Sequence, residues 1–88
     1  MDVSALTLAT NYKGRPVIGM TDNSYTTGVP VNTPGTYGVF AFLPAYYGDS
    51  SAFNIILYAL FNPDLTLSRF FFKGTWGNEG VWKEIALT

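Results

Sequence analysis

The sequence predicts an all-β fold, a small antiparallel β-sandwich or meander, and three observations point there. Nine Gly and five Pro cut the 88 residues into short segments. No stretch of about a dozen residues carries an apolar repeat of helical period. Four strand-length segments, Thr36–Leu43, Phe53–Phe61, Leu65–Lys73 and Val81–Leu87, are joined by polar or glycine-rich connections, and the lack of long helices between them argues against parallel βαβ wiring.

Composition adds a constraint on how the strands are covered. A single domain of this size buries only about 60–65% of its unfolded surface. There is no Cys to staple it. Apolar residues make up 48% and aromatics 17%, while charged residues are 12%, half of the ~25% usual in soluble domains. The strands are largely apolar on both faces, whereas a half-buried sheet in a monomer alternates. Either two sheets enclose the strands, or one sheet face packs against neighbouring subunits. The second suits a chain too short to cover both faces itself.

Residues 1–29 read as a lead-in, extended or a short helix, packed on a β unit formed by residues 30–88. In Ser4–Tyr12, Leu6 with Ala9 or Ala5 with Leu8 can share a helix face, and Ser4 is a capping residue type. The β-branched Thr7 and Thr10 suit an extended chain equally well. Pro16–Met20 is a short apolar piece, and Thr21–Gly28 is polar and loop-like. Val29-Pro30-Val31 is extended, because a residue before Pro avoids the helical region. Asn32-Thr33-Pro34-Gly35 fits a type II turn with Gly35 at positive φ.

Thr36–Leu43 places Tyr37, Val39, Ala41 and Leu43 on one face and Gly38, Phe40 and Phe42 on the other. The loop Pro44–Ala52 carries Tyr46, Tyr47 and Asp49, and Asn62-Pro63-Asp64 turns the chain between the second and third long strands. Gly74–Gly80 is a glycine-rich loop around Trp76. A strand follows it, not a helix, so it is a hairpin loop rather than a phosphate cradle.

Several functions are excluded by what is missing. With neither His nor Cys there is no Ser-His-Asp triad, no thiol nucleophile and no ordinary zinc site. No cofactor or metal is expected. The net charge is −1, with Lys13, Arg15, Arg69, Lys73 and Lys83 scattered along the chain, so there is no basic stripe for nucleic acid. The longest apolar run, Ile55–Phe61, is far short of the ~20 residues of a membrane helix. Met1-Asp2-Val3 lacks the basic start of a signal peptide, and no membrane insertion is expected. The carboxylates show no paired spacing. Asp22, Asp49 and Asp64 stand beside Asn, Ser, Gly or Pro, where Asp bonds turn backbone. The chain therefore reads as a non-enzyme.

The candidate contact residues are aromatic. Tyr25, Tyr46, Tyr47 and Trp76 fall in predicted loops, where no strand core requires a ring, and Asp49 and Asn78 lie near them in sequence. Such rings stack on sugars and serve protein interfaces at low entropy cost. Phe40, Phe42, Phe53, Phe61, Phe70, Phe71, Phe72 and Trp82 read as core or subunit interface.

The C-terminal half carries a further signal. Arg69-Phe70-Phe71-Phe72 is followed by Gly74-Thr75-Trp76 and then by Gly80-Val81-Trp82-Lys83-Glu84-Ile85-Ala86-Leu87, while Pro34-Gly35-Thr36-Tyr37-Gly38-Val39 enters the first long strand. In order and spacing this resembles the C-terminal knob module of bacteriophage tail fibres, of the pyocin-knob type, over roughly residues 30–87. The resemblance implies a homotrimer at the distal end of a virion or bacteriocin tail fibre, extracellular at the host cell. Its partner would be a bacterial surface receptor, namely a glycan, lipopolysaccharide or an outer-membrane protein. Arg69, Trp76 and Trp82 look structural in that pattern. The alternatives are a purely structural virion assembly protein (baseplate, collar or decoration) and a small depolymerase using Asp22, Asp49 or Glu79 between subunits.

Overall fold

The structure, a computed structural model, describes residues 1–12, 15–44, 54–76 and 79–87. Five strands form one open antiparallel sheet in the order of the chain: β1 (Val17–Asp22), β2 (Tyr37–Pro44), β3 (Asn54–Phe61), β4 (Leu67–Thr75) and β5 (Lys83–Ile85). The antiparallel meander is present as expected. Among the described residues, the second layer is the helix α1 (Ala5–Asn11) together with the N-terminal chain.

Of the two readings of Ser4–Tyr12, the helix holds. Ser4 stands at the N-cap position but makes no capping bond. The chain Pro16–Met20 becomes part of β1, which pairs in unbroken register with β2 from Val17↔Phe42 to Asp22↔Tyr37. The last strand is shorter than its apolar pattern suggests, only Lys83–Ile85, opposite Phe70–Phe72. Gly35 has φ 79°, as the Pro-Gly turn requires. The turn after β3 is closed by Asp64, whose carboxylate accepts from the backbone N–H and hydroxyl of Thr66.

The period of two along each strand sorts side chains onto two unlike faces. The inner face holds Phe40, Phe42, Ile56, Tyr58, Leu60 and Phe71, and it is covered by Val3, Ala5, Leu8 and Ala9. Val17, Val29, Val31 and Trp82 pack at its margin. Backbone hydrogen bonds tie the N-terminal chain down, from Val3 N–H to the Thr27 carbonyl and from Thr27 N–H to the Met1 carbonyl.

One buried polar cluster orders the far end of this core. The Tyr58 hydroxyl lies 2.7 Å from the Thr21 hydroxyl and donates to Asn23 Oδ1 at 3.2 Å. The Asn23 amide donates to the Val31 carbonyl at 2.7 Å. Burial pushes the Tyr58 phenol above its ordinary value, with the Thr21 hydrogen bond opposing. The ring fits because Gly38 faces it: a Cβ there would stand 2.6 Å from two ring carbons.

Gly38→Ala should therefore displace Tyr58 and open the cluster, lowering stability by about 1–3 kcal/mol, the usual cost of overpacking. Chemical denaturation checks this, and an unchanged midpoint would show that the ring has room to move.

Candidate interaction surface

The two faces differ in how their polar groups are satisfied. Lys73, on the inner face of β4, is 2% exposed. Its ammonium pairs with the Glu79 carboxylate and lies 4.5 Å from the centre of the Trp82 ring. The same carboxylate accepts the backbone N–H groups of Ala5 at 2.6 Å and Leu6 at 3.2 Å. These are the first two residues of α1, whose N–H groups have no partner within the helix. Glu79 thus supplies the cap that Ser4 does not. Trp82 stands edge-on to Tyr58, with ring centres 5.9 Å apart, and its indole N–H donates to the Gly28 carbonyl.

Burial alone would raise the Glu79 carboxyl. Hydrogen bonds from Lys73, Ala5 and Leu6, together with the Lys73 charge, outweigh it and hold the group below its ordinary value. At the exposed edge of the same inner face Arg69 donates to Glu84 from Nε at 2.8 Å and from a terminal nitrogen, and it lies over the Phe71 ring.

The opposite, outer face is apolar and open. It runs from Ile18 and Met20 on β1, through Tyr37, Val39, Ala41 and Leu43 on β2, and Ile55, Leu57, Ala59 and Phe61 on β3, to Phe70 and Phe72 on β4 and Ile85 on β5. Ionisable side chains appear only at its margins, Asp22 on β1 and Lys83 on β5. Ile18 is 77% and Met20 73% exposed. No described segment covers this face. At its middle is a depression of about 270 Å³ whose walls include Ile18, Val39, Ala41, Leu57, Ala59 and Phe70. It exists because the cross-strand pairs Val39↔Ala59 and Ala41↔Leu57 set two small side chains diagonally between larger ones.

The two candidate rings among the described residues stand at opposite ends of the sheet. Tyr25 ends a short 3-10 turn (Asn23–Tyr25) and is 81% exposed, at the end where Asp22, Tyr37 and Phe61 align. Trp76 follows β4 and is 69% exposed, at the end where Pro44, Asn54 and Thr75 align. Tyr46, Tyr47, Asp49 and Asn78 lie outside the described residues, as does Phe53.

Of the carboxylates weighed for chemistry, Asp22 accepts from Ser24 N–H in its own turn, and Glu79 is engaged by Lys73 and α1. Phe40, Phe42 and Phe71 are core, whereas Phe61, Phe70 and Phe72 are half-buried on the open face. The Lys73–Glu79–Trp82 cluster has no local signature. Its one trace in the sequence is that Lys73 shares a strand face with the core residue Phe71 two positions before it. No helix among the described residues is long and apolar enough to cross a membrane. Comparison with protein-family models, with curated proteins and with solved structures found no match to this chain.

Two outcomes follow for the cluster. Glu79→Gln should cost about 2–4 kcal/mol, near the 3–5 of a broken buried pair but reduced because the Glu79 side chain is 38% exposed. The measurement is thermal or denaturant unfolding, with Lys73→Met/Glu79→Gln recovering part of the loss. Because the folded-state value of Glu79 is depressed, its contribution is complete above the ordinary carboxylate range of about 4.3. It is lost as pH falls through the lower, folded-state value. The stability–pH curve of Glu79→Gln should be flatter than wild type in that acid window, and parallel curves would remove the ion pair from the account.

Proposed function

We propose that this chain is the receptor-binding tip of a phage or bacteriocin tail fibre. It is a non-enzymatic module in which three copies bury their outer faces against one another and carry ring-bearing loops to a bacterial surface glycan or protein. The observation that carries this reading is the outer face, largely apolar across five strands and covered by no described segment, while the helix and N-terminal segment lie on the other face.

Its size and charge favour a copy of the same chain as the occupant. At ordinary strand rise and spacing the face measures about 26 by 24 Å, roughly 600 Å² in projection. That is the scale of the ~800 Å² per partner in a standard interface. Its centre carries no charge, so whatever covers it must bring none, and a second outer face meets that condition. Asp22 and Lys83 bound opposite margins, so a head-to-tail ring brings unlike margins together, the arrangement of a closed cyclic assembly. The exposed rings of Tyr25 and Trp76 supply the amphipathic surface suited to sugar or protein contact. Three weak sites on one rigid body give the avidity of surface attachment.

Light scattering on a sizing column should give a species of three times the 9.7 kDa chain mass, stable on dilution. Leu57→Asp, which puts a charge at the centre of the face, should give monomers. Labelled trimer should then stain host cells. A trimer that stains no bacterial surface would support the assembly-protein alternative, turnover of host polysaccharide would support the depolymerase, and a monomeric wild type would overturn the shared-face reading.

A further inference from the structure

The outer face carries a knob as well as a hole. Met20 stands mid-strand on β1, opposite Val39, and is 73% exposed. It does not line the depression, whereas its neighbour Ile18 does. Ile18, 77% exposed on the same strand, is already a wall of the depression, and the other apolar side chains more than two-thirds exposed, Tyr25, Leu65, Trp76 and Val81, lie outside the strands. Tyr37, Leu43 and Ile55 sit at strand ends. Met20 is therefore the side chain placed to leave its own face and enter another. An unbranched, polarisable thioether suits an irregular apolar hollow, and the hollow is walled almost wholly by apolar side chains.

Resting on the shared-face reading above, we propose that Met20 of one copy seats in the Ala41–Ala59 depression of its neighbour. The contact makes the interface depend on shape, not on apolar area alone. Two apolar sheets pack through interdigitating side chains, and a void left at such a contact loses its dispersion partners outright. Ala41 and Ala59 then keep the hollow open, and their small size is a property of the interface.

The test enlarges the hole-forming residues without reducing the apolar character of the face. Ala59→Phe and Ala41→Phe should each raise the dissociation concentration of the assembly at least tenfold, measured by sedimentation or light scattering over a dilution series. Circular dichroism of the variants should match wild type. Met20→Ala should weaken assembly in the same direction, and Met20→Leu should largely preserve it.

If wild type assembles and Ala59→Phe assembles equally well or more tightly, the seating is overturned and the shared face survives. If wild type is monomeric throughout, the shared face fails and the seating with it. Should the Phe variants not fold, cross-linking decides. The chain has no Cys, so Met20→Cys/Ala41→Cys should form disulfides between copies under mild oxidation, while the exposed Ser68→Cys should not. Absence of that cross-link in an assembled sample overturns the proposal.

Discussion

The Lys73 ammonium, buried on the inner face of β4, sets the terms for the rest of the molecule. A charge taken out of water needs a counter-charge and further polar contacts close by. Glu79 provides the counter-charge, and the Trp82 ring provides a cation–π surface. Because the same carboxylate also holds the first N–H groups of α1, one group ties β4, the segment after it and the N-terminal helix together. A seven-residue helix is far below the length that is stable alone, so α1 depends on this clasp and on the apolar contacts of Ala5, Leu8 and Ala9.

That arrangement explains why the two faces end up so different. The inner face is closed by the N-terminal chain and α1, and its polar atoms are matched: Tyr58 with Thr21 and Asn23, Asn23 with Val31, Trp82 with Gly28. With α1 and the N-terminal chain spent there, no described segment is left for the outer face. The low charge content of the chain is thus localised. It is expressed on one side of one sheet, where apolar side chains stand open among the described residues.

The strands were legible because apolar content, β-branched and aromatic residues and turn chemistry agreed along Thr36–Leu43, Phe53–Phe61 and Leu65–Lys73. The Pro34-Gly35 turn was readable from local sterics alone. The N-terminal third was not readable in the same way. Ser4–Tyr12 has no decisive pattern, and its helix is selected by Glu79, 74 positions away from Ala5, which no local rule reaches. β1 looked like a fragment because Gly19 and Thr21 interrupt its apolar run, yet those are the inner-face positions, where Thr21 meets Tyr58 and the Phe40 ring lies against Gly19. Of the candidate rings, Tyr25 and Trp76 are the described ones, and their exposure was legible from their loop positions. Their separation was not, because distance across a sheet depends on register.

That separation gives the molecule a polarity. Tyr25 and Trp76 stand about one strand length apart, roughly 25 Å, so a single sugar or a short peptide cannot touch both. The Met1 amino group donates to the Tyr25 carbonyl at 3.3 Å, which puts the start of the chain at the Tyr25 end. The Trp76 end is thus the end of the sheet away from the Met1 amino group, and a ligand stacked on one ring leaves room for a second on the other.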